Sequence, residues 1–449
     1  MEFRANGPAT SLLRAATVIG SQAGIKDILQ RIRLRSADTT DGGMILSAES
    51  TDFDVFFRGS VPAQSSVPGA VVVPATTLRN ILPKGRKPCT VSGVETPATS
   101  GPGATLCIGF QSPVPGIIGS SGTTLPLFPD ADFPDMPSDN RDVRETPLTL
   151  ASVVGGPVQT VAQFLDWFAF LDSATGPEKT RYAFNAIRIG PDGSGVATDG
   201  KRIAFLPGIP LGAPQLPILL PVHSLALICK AFKAFPGPTA DLTFYAETLE
   251  EEYEPEKGKK AFRTICPSIR IRAIGDDSAE AVVTIRTLDG NFPEFGGLIT
   301  KRLPYSAILP TADWTPALES TLPVLEKGSE TVILSPAPAG IRLSAGSQDR
   351  GTVDTTLPAS ETLQGPDTIL LPDHADGTPG ENVPAPPPEM GFNPLFLVDM
   401  LAALDSPMIT MEYADTHTCA RFSPCPPDGR VIVIMPVSRE YFRPAPATT

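Results

Sequence analysis

One phrase recurs three times along the chain: a strand, a polar turn, a second strand, then an X-Pro step into an amphipathic helix. The first copy runs from Met44 through Ser50-Thr51-Asp52 to Phe57 and resumes at Val72-Val73-Pro74, with Leu78, Ile81 and Leu82 at helical spacing. The second runs from Ser194 through Thr198-Asp199-Gly200-Lys201 to Phe205 and resumes at Leu219-Leu220-Pro221, with Leu225, Ile228 and Phe232. The third runs from Ile341 to Arg350 and resumes at Phe392-Asn393-Pro394, with Leu397, Leu401 and Leu404. Proline suits the first turn of a helix because the N–H it lacks has no intrahelical acceptor there. Pro74, Pro221 and Pro394 are spaced by roughly 150 to 170 residues, about one domain apart. The pattern predicts three tandem copies of one α+β unit.

A second phrase marks the unit ends. Asp132-Phe133-Pro134-Asp135 closes the first and Asn291-Phe292-Pro293-Glu294-Phe295 the second, while the third ends in the buried-strand pattern Val431-Ile432-Val433-Ile434-Met435-Pro436. The expected boundaries are 1–140, 141–302 and 303–449. Units II and III carry insertions: a charged hairpin tip or mobile loop at about 247–260, and a stretch rich in Pro, Gly and acid at about 372–389, expected to be disordered.

Composition excludes several classes. No run of 18 apolar residues exists, so no transmembrane helix is expected, and the first residues lack a signal-peptide pattern; a cytoplasmic protein follows. The net charge of −13 argues against a conventional DNA-binding domain, although a protein touching DNA with one small basic surface is compatible with it. Six cysteines form no Cys-x-x-Cys pair, and His417 beside Cys419 is read as incidental, so no metal or other cofactor is expected. The three histidines, His223, His374 and His417, accompany no Gly-x-Ser-x-Gly elbow, Walker loop or His-Glu-x-x-His. Asp199-Gly200 and Asp289-Gly290 suit hairpin turns better than catalysis. No catalytic residue is predicted.

Several of these phrases carry a resemblance. Thr180-Arg181-Tyr182-Ala183-Phe184-Asn185 followed by Val196-Ala197-Thr198-Asp199-Gly200-Lys201-Arg202-Ile203 is similar to the middle domain of bacterial β sliding clamps, the processivity subunit of DNA polymerase III. So is Leu288-Asp289-Gly290-Asn291-Phe292-Pro293-Glu294-Phe295. Met390 to Leu404 resembles that family's third-domain helix, Ile434-Met435-Pro436-Val437 its C-terminal strand, and Asp130-Ala131-Asp132-Phe133-Pro134 the end of its first domain. The matches fall in the right order over the whole chain. The resemblance implies three DNA-clamp domains with antiparallel sheets outside and helices lining a ring, closed by a head-to-tail homodimer.

The resemblance also implies two functional surfaces. Weak phosphate contacts in the hole would come from Arg14, Arg79, Lys84, Lys179, Arg181, Tyr182, Lys230 and Lys233, contacts that carry no sequence information. A pocket for short linear peptides of polymerases, the clamp loader and repair proteins would comprise Arg181, Phe184, Thr198, Gly200, Lys201, Arg202, Ile203, Pro293, Leu298, Val433, Ile434, Met435, Pro436 and Val437. An aliphatic, Met-lined groove accepts Leu or Phe anchors, while Arg202 and Thr198 are suited to fix the peptide's polar groups. Ala23, Ala183 and Gly297 depart from the family, which often has arginine, tyrosine and arginine there. The chain also continues past Met435-Pro436 to Thr449. The expected function is that of a nucleoid-associated, non-catalytic sliding clamp on double-stranded DNA; the alternative is a specialised or accessory clamp-like protein for repair polymerases, or a decoy.

Overall fold

The computed structural model describes residues 2–5, 7–21, 27–39, 43–82, 89–94, 105–109, 123–128, 130, 133–135, 144–147, 160–176, 182–208, 214, 216–256, 259–300, 303–326, 330–338, 340–347, 349–359, 362–363, 369–370, 382–383 and 388–437. The chain groups into two compact units: Met1–Phe168, Ile189–Gly193 and Gly208–Asp289 form unit 1, and Ala169–Arg188, Ser194–Pro207 and Gly290–Thr449 form unit 2.

Unit 1 contains two antiparallel sheets. The smaller comprises β1 (Glu2–Ala5), β5 (Gln64–Val67), β7 (Cys89–Val94), β8 (Thr105–Gly109) and β9 (Thr123–Pro126). The larger uses β2 (Arg31–Asp38), β3 (Met44–Thr51), β4 (Val55–Pro62), β6 (Gly69–Pro74), β10 (Arg144–Pro147), β15 (Asp241–Glu256), β16 (Lys259–Ile274) and β17 (Glu280–Arg286). Its order is β10-β15-β16-β17-β4-β3-β2-β6. The β17–β4 pair, from Glu280↔Ser60 to Ile285↔Val55, therefore joins strands of the first repeat to strands of the second. A further strand, β14 (Ile218–Pro221), leads into α4.

Helices α1 (Gly7–Gly20), α2 (Ala75–Ile81) and α4 (Val222–Ala234) belong to unit 1. α1 packs on β3 and β4 and between α2 and α4. Its Leu12, Leu13, Ala16 and Ile19 are fully buried at i, i+1, i+4 and i+7, the spacing of one helical face. The close approach depends on Gly59 of β4, because a Cβ there would overlap Leu12. α3 (Val161–Asp172) passes from unit 1 to unit 2. Within unit 1 its Phe164 meets Phe232 of α4 and Phe244 of β15 at centroid distances of 6.1 and 6.2 Å.

Unit 2 contains an antiparallel run of β11 (Ala186–Ile189), β12 (Gly195–Thr198), β13 (Arg202–Leu206), β28 (Val431–Ile434), β27 (Ala420–Pro424), β26 (Met408–Tyr413), β18 (Tyr305–Pro310) and β22 (Thr362–Leu363), in that order. A four-stranded sheet has the order β21 (Gly351–Leu357), β20 (Gly340–Ser347), β19 (Val332–Ala337) and β25 (Met390–Phe392). β23 (Ile369–Leu370) and β24 (Asn382–Val383) pair alone. The helices are α5 (Gly296–Thr300), α6 (Thr311–Thr321) and α7 (Pro394–Leu404). β26 and β27 alternate strictly between buried and half-buried residues, as a sheet with one face on a core requires.

The three prolines of the repeated phrase sit where the pattern requires. Pro74 and Pro221 occupy the N-cap positions of α2 and α4, at φ −66° and −61°, and Pro394 is inside the first turn of α7 behind the capping side chain of Asn393. Pro310 does the same for α6, a fourth copy of the device. Asp289-Gly290 is a correction: it lies in the connection between β17 and α5 rather than in a hairpin. The charged segment at about 247–260 is the distal part of the β15–β16 hairpin. Most of 372–389 lies outside the described residues.

The face of the larger sheet turned away from α1 holds buried charge. Glu49 on β3 is 2% exposed and lies between Arg33 on β2 and Arg58 on β4, with N···O distances of 2.5 and 2.6 Å. Arg33, 3% exposed, also lies 4.9 Å over the Phe133 ring. Each carboxylate oxygen has its own guanidinium, the condition under which a buried ion pair is tolerated. Glu49→Ala is expected to lower stability by about 3–5 kcal/mol, because it leaves the buried Arg33 charge only the more distant carboxylates of Asp130 and Asp135, at 3.7 and 3.9 Å. Urea melts measure this, and a loss below about 1 kcal/mol would contradict it.

Candidate peptide-binding site

The site residues of unit 2 start from the β12–β13 hairpin. Asp199 Oδ1 accepts hydrogen bonds from the backbone N–H groups of Lys201 and Arg202, at 2.8 and 2.9 Å. Thr198 Oγ1 accepts from Gly200 N–H at 3.0 Å and donates to the Arg202 carbonyl at 2.7 Å. Gly200 has φ +85°, and a Cβ there would lie 2.9 Å from the Phe184 ring. Asp-Gly is suited to such a turn because aspartate closes it from the side chain and glycine takes the positive φ. The Thr198 hydroxyl, expected to be available to a ligand, is instead engaged on both sides within the turn.

β28 pairs with β13 in the register Arg202↔Ile434 and Ile203↔Val433. The ladder continues into the hairpin, where Met435 N–H donates to the Lys201 carbonyl at 2.8 Å. Two residues later Val437 N–H donates to Gly391 of β25, also at 2.8 Å. Met435 and Pro436 thus bridge from one sheet of the unit to the edge of the other. Ile203, Val433, Val196 and Ile299 of α5 form one buried cluster, flanked by Phe205, Phe292 and Phe295. Ile434, Phe184 and Thr198 are buried as well.

The predicted pocket therefore divides in two. Its buried members form the foundation, while Gly200, Lys201, Pro293, Leu298 and Met435 are exposed and Arg202, Pro436 and Val437 half-buried. Met435 and Leu298 are 48% and 43% exposed, two large apolar side chains left at the surface over a tight core. Gly297 has open space where a side chain would project. Arg181 lies outside the described residues.

Sequence reasoning missed the groups that hold Arg202. Its Nε donates to Asp199 at 3.0 Å and its Nη1 to Asp399 of α7 at 2.8 Å, and its guanidinium lies 4.5 Å from the Phe396 ring centroid. Phe396 and Asp399 are three apart on α7 and so share a face, which is the signal that was available. The guanidinium is fixed at 13% side-chain exposure rather than waving in solvent.

Of the predicted phosphate contacts, Arg14 is on α1, Arg79 on α2, and Lys230 and Lys233 on α4. Lys84, Lys179 and Ala23 lie outside the described residues, as do the side chains of Tyr182 and Ala183 and the tail beyond Val437. Among the described residues no group of three His, Cys, Asp or Glu side chains is arranged to hold a metal ion. Burial pushes the Cys266 thiol up to about 11 and raises that of Cys419, so neither is a nucleophilic thiolate near neutral pH. No described helix is long and apolar enough to cross a membrane.

The architecture has close counterparts among solved structures. It superposes on the beta sliding clamp of Caulobacter crescentus with a TM-score of 0.68, covering 97% of this chain and 98% of that one at 22% identity. It superposes on the DNA polymerase III beta subunit of Thermotoga maritima with a TM-score of 0.68, covering 99% and 100% at 17% identity. The chain has the sliding-clamp fold. No family model matches it. In sequence it is 24% identical over 383 residues to the Caulobacter vibrioides beta sliding clamp, 82% of each chain, and 26% identical over 385 residues to that of Streptomyces coelicolor, 84% of this chain and 83% of the relative. It is a divergent relative of the bacterial clamps.

Gly200→Ala tests the foundation of the site. Positive φ and the Phe184 ring together predict a loss of about 1–3 kcal/mol in chemical denaturation. An unchanged midpoint would contradict the turn geometry.

Proposed function

We propose that the chain is a DNA sliding clamp: a ring that encircles duplex DNA and tethers a DNA polymerase to it without catalysing a reaction. The observation that carries this reading is the extent of the fold match, which runs over nearly the whole chain and nearly the whole of each clamp. The clamp domains are 1–140, 141–302 and 303–449, with insertions at about 247–260 and 372–389 and a tail at 438–449. Two protomers associate head-to-tail, so that six repeats close the ring.

Polymerase, clamp loader and repair proteins dock at the Met435–Leu298 surface through short linear motifs. An exposed methionine at the end of β28 and an exposed leucine on α5 offer apolar area that adapts to several side chains. The Asp199, Asp399 and Phe396 contacts hold Arg202 in a defined orientation beside it, ready to receive a peptide carbonyl or carboxylate. A specialised rather than housekeeping clamp is favoured by Gly297, which leaves the site without a side chain where many clamps have an arginine.

Primer extension with a bacterial DNA polymerase III and its clamp loader tests the reading. The protein is expected to lengthen the products made per binding event. Met435→Ala combined with Leu298→Ser is expected to shorten them again and to weaken a polymerase-derived peptide at least tenfold, about 1.4 kcal/mol. Product lengths unaffected by the protein would overturn the function, and an unchanged peptide affinity would overturn the site.

A further inference from the structure

Strands β15 and β16 run for 16 residues each, while their outer neighbours β10 and β17 have four and seven. β10 pairs with β15 only as far as Thr248, and β17 pairs with β16 only as far as Ser268. Beyond those points the hairpin is a two-stranded ribbon, 249–256 against 259–266, about 26 Å long at ~3.3 Å per residue. A bulge between Glu247 and Leu249 separates it from the sheet. Among the described residues no further strand pairs with either side of it. Each outer edge therefore presents unpaired backbone N–H and C=O groups. A ribbon of two strands is marginal by itself, and a third strand is what completes one.

Cross-strand charge holds the ribbon together. Arg263 Nε donates to Glu251, directly opposite, at 2.9 Å, and Lys260 pairs with Glu252 at 2.6 Å. Phe262 stands opposite Glu252 and is 71% exposed, the most exposed large apolar side chain among the described residues. Its ring gains little from folding, and its apolar area is left for a ligand to cover. Glu250, opposite Thr264, shares that face and is exposed too. The two edges differ in charge. Glu250, Glu251, Glu252, Glu254 and Glu256 make five of the eight residues 249–256, with no base among them. Residues 259–266 have Lys259, Lys260 and Arg263 and no acid, so the bases of one strand do not match the acids of the other. Pro255 lacks an N–H and confines further pairing on the β15 edge to 249–254.

We propose that the ribbon is a docking arm that takes an extended, lysine- or arginine-bearing segment of a partner protein as a third strand along the 249–254 edge of β15. The open edge and the exposed ring make the arm a binding surface, and the carboxylates select the guest. Backbone hydrogen bonds supply the pairing. Bases on the guest's matching face meet Glu250 and Glu252, with their methylene stems directed over the ribbon toward Phe262. A second copy of the chain is a poorer guest. Two β15 edges would set glutamate against glutamate, and on a second β16 Arg263 and Lys260 already serve Glu251 and Glu252. The role of the arm does not depend on the clamp function proposed above.

Fluorescence anisotropy of the full chain with a labelled peptide of alternating lysine and valine tests the arm. Saturable binding is expected, and the same peptide N-methylated at alternate backbone nitrogens is expected to bind about tenfold more weakly, since it cannot pair as a strand. Glu250→Gln/Glu252→Gln and Phe262→Ser are each expected to weaken the unmodified peptide about fivefold. Hydrogen exchange read by mass spectrometry supplies the measurement that charge alone would not move. The amides of 249–254 are expected to slow when the peptide is bound, while those of 268–274 stay as they were and show that the variants keep the fold. No binding, equal affinity for the N-methylated peptide, or unchanged exchange at 249–254 overturns the proposal. A solution mass that falls on Phe262→Ser without any peptide assigns the edge to a second copy and overturns it as well.

Discussion

Backbone hydrogen bonding between β4 and β17 ties the first repeat to the second, and the β13–β28 ladder ties the second to the third. These seams explain why the compact units do not coincide with the repeats. The second repeat contributes β14 to β17 to unit 1 and β12 and β13 to unit 2. Each seam also pairs a strand that would otherwise present an open edge, the commonest liability of an antiparallel sheet. The features tied to function follow from the two ladders. The first continues the sheet on which the α1–α2–α4 layer rests. The second carries Met435 to the surface in register with Lys201.

Each seam has a distinct chemistry. Beside the first, Glu49 and Arg33 are almost completely buried, and Arg58 stands on β4 itself. On β15 and β16 beyond it, Glu247 and Arg270 form a second pair at 2.7 Å, and burial raises the Glu247 carboxyl and lowers the Arg270 guanidinium from their ordinary values. The second seam is apolar, with Ile203 against Val433 and Ile299. Charge pairs of fixed geometry specify register, since a one-residue slip would turn them to the other face.

Much of this was legible in the sequence. The three X-Pro steps at Pro74, Pro221 and Pro394 locate α2, α4 and α7, because proline and the helical spacing of leucines are local signals. The companion helices α1, α3 and α6 were not legible. α1 is rich in alanine and threonine, which do not stand out as core residues in the sequence although Ala9, Ala15, Ala16, Thr10 and Thr17 are fully buried. α6 has Pro316 in its interior, which reads as a break. In the candidate site, the resemblance found the residues but not their division into surface and foundation, because Ile203, Val433 and Met435 look alike as apolar letters. The clasp on Arg202 was only half legible: the spacing of Phe396 and Asp399 puts them on one face of α7, but nothing local pairs that face with Arg202, 197 residues away in sequence.

On the proposed clamp function, DNA is retained by enclosure rather than by charge. Retention on nicked circular DNA after loading, followed by linearisation, tests this most directly. The protein is expected to remain on the circle through high salt, where phosphate contacts are screened, and to leave once the DNA has ends. Equal retention on circular and linear DNA, or loss from both at high salt, would contradict it.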